Sequence, residues 1–250
     1  MSRSVEVRDA ADLCLLAGKV MLQSGGETYR VEDTMLRMAA ALGYPNAHSY
    51  VTPTGIVFAI DGEQGATRIA RISARTTDLK KVTEVNGISR LLAAGTLPPE
   101  EARAMLERAE AENMAYPHWA QVAAAALASG CFLIMFKGRW SDFLPAVIAG
   151  GSGYLCFVWL HRYVAVKFVA EFLAAVTLGV LSHLLVRIGV GSDLNKIIIG
   201  SVMPLVPGVL ITNAVRDLMA GHLVSGIAKG AEAFLTAFAV GAGIAFVLFF

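Results

Sequence analysis

Hydrophobic and polar positions alternate in two different ways along this chain, and the change of rhythm divides it. Apolar residues at Leu13, Leu16, Ala17, Val20 and Met21 follow helical spacing and predict an amphipathic helix over Asp9–Ser24. Ser24-Gly25-Gly26-Glu27 then reads as a glycine stop followed by an S-x-x-E capping box for a second helix with Val31, Met35, Met38 and Leu42 on its apolar face, ending at Gly43 and Pro45. Three short β-type stretches follow, His48–Thr52, Gly55–Ile60 and Thr67–Ile72, with Asp61-Gly62 as a hairpin signal. Helical spacing returns over Asp78–Ala94 and Pro98–Asn113, the second opened by a proline in its first turn.

Beyond Tyr116-Pro117 the polar half of the rhythm nearly vanishes. Apolar segments run over Trp119–Phe136, Phe143–Leu160, Phe168–Val190, Ile197–Thr212 and Ala233–Phe250, mostly near the length of a bilayer-spanning helix. The fourth is short and is interrupted by Pro204, Pro207 and Gly208. Trp119, Trp140 and Trp159 fall at segment ends, where an interfacial aromatic belt is expected. The expected fold is an α+β soluble domain over residues 1–117, followed over 118–250 by an all-α membrane domain of five transmembrane helices, the fourth broken by Pro and Gly.

Charge sharpens this division. Residues 1–117 carry 13 of the 21 Lys and Arg and 15 of the 20 Asp and Glu, leaving 8 and 5 for the remainder. A net charge of +1 without a basic cluster excludes nucleic acid as a partner. Cys14, Cys131 and Cys156 lack metal-ligand spacing and read as reduced small hydrophobes, so no metal site, cofactor or disulfide framework is expected. Met1 opens no signal-peptide pattern, which favours a cytoplasmic front domain; five spans then place Phe250 outside. Charge bias does not decide orientation, because Lys and Arg of the loops divide four to four.

Candidate chemistry gathers at the broken segment. Each proline removes a backbone donor and opposes the preceding turn, so Pro204, Pro207 and Gly208 predict an unwound stretch whose carbonyls and half-helix ends can receive a polar solute. A packed kink is the alternative. Asn213, Arg216 and Asp217 follow at once and lie off the apolar face formed by Val215, Leu218, Met219, Leu223 and Ile227. They suit a pore mouth for a carboxylate solute, with the guanidinium as its anchor, or else the solvated face of an interfacial helix. Glu171 and His183, ionisable groups inside the third span, are candidates for proton coupling; Lys167, one turn away, offers Glu171 a pairing partner instead.

In the front domain, Thr52 and Thr54 flank Pro53 before Gly55, a turn whose hydroxyls are candidates for ligand binding, with His48 as the nearest base. Gly25-Gly26-Glu27 offers backbone donors at a helix start, a candidate anion site that lacks the nucleotide P-loop pattern.

The run from Leu22 to Asp33, the Thr52-Pro53-Thr54-Gly55 turn, Val206-Pro207-Gly208 and Thr212-Asn213-Ala214-Val215-Arg216-Asp217 resemble the threonine/serine exporter family, most closely the larger subunit of its two-component branch, associated with succinate export in enteric bacteria. The resemblance spans nearly the whole chain. It implies a multi-pass exporter of small amino acids or dicarboxylates in the bacterial inner membrane, working without ATP hydrolysis. Single-chain members carry about ten spans, so a chain with five implies a smaller five-span membrane subunit as partner, a homo-oligomer being the alternative assembly. A membrane-tethered hydrolase or ligand sensor using Glu27, Thr52 and Thr54 is the competing function.

Overall fold

In the computed structural model, residues 6–62, 65–112, 115–164 and 166–249 are described. The chain is mostly helical with one small sheet. Helices α1 (Val7–Gln23) and α2 (Thr28–Ala41) precede strands β1 (Ala47–Thr52), β2 (Gly55–Ile60) and β3 (Ala66–Arg71), which pair antiparallel in the order β1-β2-β3. Helices α3 (Leu79–Ala93) and α4 (Pro99–Ala111) complete the set, so the predicted order ααβββαα is present. Asp78 caps α3 by accepting the Lys80 and Lys81 N–H groups, and Pro99 stands in the first turn of α4. Asn113, the expected end of that helix, lies outside the described residues, as do Met1 and Phe250.

The expected capping box at Ser24 does not form. Ser24 instead closes α1, Gly25 takes φ +86°, and the Gly26 N–H returns to the Met21 carbonyl, the hydrogen-bond pattern of a glycine-terminated helix. A side-chain carbon on Gly26 would come 3.0 Å from that carbonyl oxygen. Helix α2 therefore starts at Thr28, with Glu27 as its cap residue and the Glu27 side chain directed elsewhere.

Packing divides the chain into two units, Met1–Ala115 with Ile211–Gly230, and Tyr116–Leu210 with Ala231–Phe250. In the first, alternation along the strands turns Val51, Ile56, Phe58 and Ile60 inward onto Leu13, Met21, Met35, Met38, Val85 and Leu106. Gly18 permits this closeness, since a side-chain carbon there would fall 2.3 Å from the Met35 sulfur. Cys14 lies in the same core, and burial pushes its thiol up to about 12, which keeps it an inert small hydrophobe.

The second unit contains α5 (His118–Met135), α6 (Phe143–Leu160), α7 (Lys167–Arg187) and α8 (Leu194–Val202), and the continuation of α10 (Leu223–Phe249). Helix α9 (Gly208–Met219) lies between α8 and α10 in sequence. Among the described residues, α5, α6, α7 and α10 are long and apolar enough to cross a membrane, and a fifth span results if the bent pair formed by α8 and α9 counts as one. Small residues set the helix contacts: side-chain carbons on Gly150, Gly153 and Gly243 would meet Ser129 Oγ at 2.0 Å, Leu178 Cβ at 2.9 Å and the Phe172 carbonyl at 2.6 Å.

The broken segment is resolved into its parts. Pro204 lies within a 3-10 turn, Met203–Leu205; Val206 is extended, and Pro207 stands just before the first residue of α9. The two sides are bent by 60°. Two boundaries differ from expectation. Polar residues after Pro207 do not start a separate interfacial stretch, because α9 runs unbroken through Thr212 to Met219. The last helix begins at Leu223 rather than Ala233, ten residues early. Leu223 and Ile227 thus belong to a different helix from Val215 and Leu218.

Candidate functional site

The turn that ends α1 leaves polar backbone facing out. With the Gly25 and Gly26 amides returned to α1, their carbonyls remain free, and Thr28 opens α2 with an N–H that no earlier residue of that helix can accept. These groups are met by the paired segment Ile211–Gly230 of the same unit. There α9 ends in a tight reversal: Gly221 has φ +86°, its N–H reaches the Leu218 carbonyl, and the His222 N–H reaches the Asp217 carbonyl. Helix α10 then folds back along α9, close enough that a side-chain carbon on Gly226 would touch the Leu218 side chain at 2.5 Å.

Helical spacing puts Asn213 and Asp217 on one face of α9, and Ser225 and Lys229 on one face of α10. All four are buried. The Asp217 carboxylate, fully enclosed, accepts the Thr28 N–H at 3.0 Å, the Thr28 hydroxyl at 2.9 Å and the Lys229 ammonium at 2.7 Å. Lys229 also donates to the Thr28 hydroxyl and, at 3.4 Å, to the Gly26 carbonyl; Asn213 donates to the Gly25 carbonyl at 2.9 Å. The Gly25 and Gly26 amides, expected as anion donors, are taken up by α1; the chain's own Asp217 is held instead by Thr28 and Lys229, at the positive end of α2.

Beside it, Glu27 accepts from Arg216 at 2.6 Å and pairs with Arg30 at 3.0 Å. Arg216 keeps about half of its side chain exposed. On the other flank, the Val51 N–H donates to Glu32 at 2.8 Å and the Val51 carbonyl accepts from Ser225 at 3.2 Å, while His222 Nδ1 lies 3.8 Å from Glu32. Burial raises Glu32 above the usual carboxylate range; the Val51 N–H and His222 oppose that shift, and Asp217 adds to it.

The apolar face of this pair of helices is inverted. Val215, Leu218, Met219, Leu223, Val224 and Ile227 are exposed while the polar stripe is covered. Thr28, Glu32, His222, Ser225 and Lys229 escaped the sequence reading. Lys229 carried a usable signal, a lone lysine in the first turns of an apolar helix, hidden by starting that helix at Ala233.

Other candidates are scattered. Thr52 donates to the Gly55 carbonyl within its own turn, Thr54 is exposed, and His48 pairs with Asp61 at the far end of β1 and β2. His48 and Thr52 stand four steps apart along β1, about 13 Å, so the imidazole and the Thr52 hydroxyl do not meet. His183 is exposed on α7. Among the described residues, no group of three or more His, Cys, Asp or Glu side chains is disposed to hold a metal ion.

In the second unit, Glu171 is buried on α7 and accepts from Thr236 of α10 at 3.2 Å through Oε1, while Oε2 has no hydrogen-bond partner among the described residues. Lys167, one turn earlier, lies 3.8 Å from Glu171 and 3.0 Å from Glu232. An ionisable group half-satisfied inside a span is costly as a bystander.

Relatives frame this geometry. The chain is 28% identical to "Probable succinate transporter subunit YjjP" of Klebsiella aerogenes, over 96% of this chain and 93% of that protein. The Escherichia coli K12 protein of the same name is 27% identical over 96% and 94%. "Threonine/serine exporter" of Corynebacterium glutamicum is 21% identical over 96% of this chain but 50% of its own length. No solved structure matches the chain. A family match extending over residues 12–250, on a chain with several apolar membrane helices, makes this a multi-pass membrane protein of the threonine/serine exporter family, whose members are transporters and not enzymes.

Proposed function

We propose that the chain is one subunit of a two-part secondary exporter for small carboxylate solutes, of the succinate or threonine/serine type, in the bacterial inner membrane. One observation carries this reading: the same chain covers nearly all of relatives named as transporter subunits, yet half the length of a relative named as an exporter. A smaller five-helix subunit supplies the missing half. Residues 1–117 form the cytoplasmic domain and 118–250 contribute five spans, the fourth interrupted at Pro204, Pro207 and Gly208, where unwound backbone borders the solute path.

Asn213, Arg216 and Asp217 guard that path. Their partners in the structure are Gly25, Glu27, Thr28 and Lys229. A solute carboxylate competes with Glu27 for the half-exposed Arg216, a bidentate anchor of the right shape. Glu171 carries the coupling proton; His183, exposed on the outer side of its helix, stays outside the mechanism.

The deciding experiment is efflux of labelled succinate and labelled threonine from cells expressing this chain with and without the five-helix partner. Efflux should require both subunits, and the faster solute names the substrate. Efflux by this chain alone overturns the half-exporter reading in favour of a homo-oligomer. Arg216→Ala should lower efflux at least tenfold while membrane insertion is unchanged; full efflux in that variant removes Arg216 from the solute path.

A further inference from the structure

A second buried carboxylate shares the peculiarity of Glu171. Asp142 lies at the entry to α6 with no exposed surface. Its Oδ1 accepts the Ser192 N–H at 2.6 Å, and its Oδ2 has no hydrogen-bond partner among the described residues. Asp142 and Glu171 are the two buried carboxylates in this condition among the described residues.

Their placement gives the likeness its meaning. Helices α6 and α7 run antiparallel, with Gly153 facing Leu178 and Cys156 meeting the Thr177 hydroxyl. In that register Asp142 and Glu171 are separated along the helix axis by roughly 18 residues, about 27 Å at about 1.5 Å per residue. The hydrocarbon core of a bilayer is about 30 Å thick. One half-satisfied carboxyl therefore stands at each end of the same membrane-spanning pair.

Charged groups of the adjoining segments are engaged or turned outward: Lys196 donates to the Lys137 carbonyl at 2.8 Å and lies 3.9 Å from Asp193, while Arg139 and Arg187 are exposed. Ser192, whose amide Asp142 holds, is itself exposed. One turn inward from Asp142, the Ala146 carbonyl accepts the buried Ser201 hydroxyl at 3.2 Å, and Ser129 lies against Gly150. Two small hydroxyl residues, Ser129 and Ser201, thus meet near Gly150, a short way before the Pro204 turn in sequence.

We propose that Asp142 is a proton-binding carboxyl at the membrane face opposite Glu171, giving the coupling ion of export one buried docking point on each side of the bilayer. The inference rests on the exporter reading for its purpose, but not for its first test. A carboxyl that takes a proton in an apolar setting reacts with a hydrophobic carbodiimide, so the full chain in native membranes is treated with dicyclohexylcarbodiimide across a pH series and mapped by mass spectrometry. Adducts are expected at both Asp142 and Glu171, increasing as pH falls, with Asp142→Asn losing its own adduct alone.

The second test uses acid-inside everted vesicles containing the chain and its five-helix partner, supplied with labelled succinate or threonine. Asp142→Asn should lower uptake driven by the pH gradient at least tenfold, and Asp142→Glu should restore it with a displaced pH profile. An Asp142 that serves only to hold Ser192 gives the opposite result: no adduct at any pH, and driven uptake intact in Asp142→Asn, because the amide oxygen still accepts that hydrogen bond. Either finding overturns the proposal. Labelling at both sites in a chain that moves neither solute leaves the proton site standing and removes the exporter reading.

Discussion

Two kinds of buried carboxylate occur in this chain, and they differ in completeness. Asp217 is surrounded: a lysine ammonium, a hydroxyl and a helix-start amide each give it a hydrogen bond. Glu171 has a hydroxyl, a lysine at longer range, and one oxygen without a hydrogen-bond partner among the described residues. A carboxylate satisfied on all sides holds structure together, since losing a partner strands charge in a low-dielectric interior. One left half-satisfied carries a desolvation cost that a proton would relieve, and that is the ground on which Glu171 is proposed as the coupling group. The same side-chain chemistry is a completed clasp in one unit and an incomplete one in the other.

That contrast breaks most sharply at Lys229. Lys229→Ala strands the enclosed Asp217 and should lower the stability of the first unit by about 3–5 kcal/mol, read as thermal unfolding or proteolysis of the detergent-purified chain. Adding Asp217→Asn and replacing Lys229 by Met should recover most of the loss, because no charge is then left unpaired. Glu171→Gln is the converse. Thr236 can still donate to the amide oxygen and Lys167 keeps Glu232, so stability should change by no more than about 1 kcal/mol while export loses its dependence on the proton gradient. A variant still driven by that gradient separates Glu171 from coupling.

The smallest effect belongs to Glu32, which lies between the two kinds. Burial holds its folded-state pKa above the ordinary value, so the protonated form favours folding. Its contribution is complete below the ordinary carboxylate range and is lost as pH rises through the raised folded-state value. Thermal stability of the first unit should therefore decline gently as pH rises above the ordinary carboxylate range, and Glu32→Gln should flatten that decline. An unchanged slope in this variant assigns the pH dependence to another group.

Much of the fold was legible because it depends on local rhythm. Gly55–Ile60 and Phe143–Leu160 are found where alternation and apolar length put them. What escaped depends on partners distant in sequence. Ser24 and Glu27 satisfy a capping pattern, but the Gly25-Gly26 pair completes α1 first and delays the next helix to Thr28. The amphipathic reading of 212–227 separated polar from apolar residues and left them to a pore mouth or to the solvated face of an interfacial helix, without the break between α9 and α10. The buried face is the polar one, because Gly25, Gly26 and Thr28 present it with hydrogen-bonding groups nearly two hundred residues away in sequence. Asp142 gave no signal, being a single acid at a segment end where a helix cap is the ordinary expectation.

Strand β1 lies at the outside of its sheet, and outside strands invite pairing with other chains. At Val51 both backbone groups are already engaged, the N–H by Glu32 and the carbonyl by Ser225. An incoming strand would have to displace two side chains to gain a foothold there. The segment Ile211–Gly230 thus completes a protection that Glu32 begins: until residue 225 has been translated, the Val51 carbonyl lacks its Ser225 donor, while Glu32 is already present to hold the N–H.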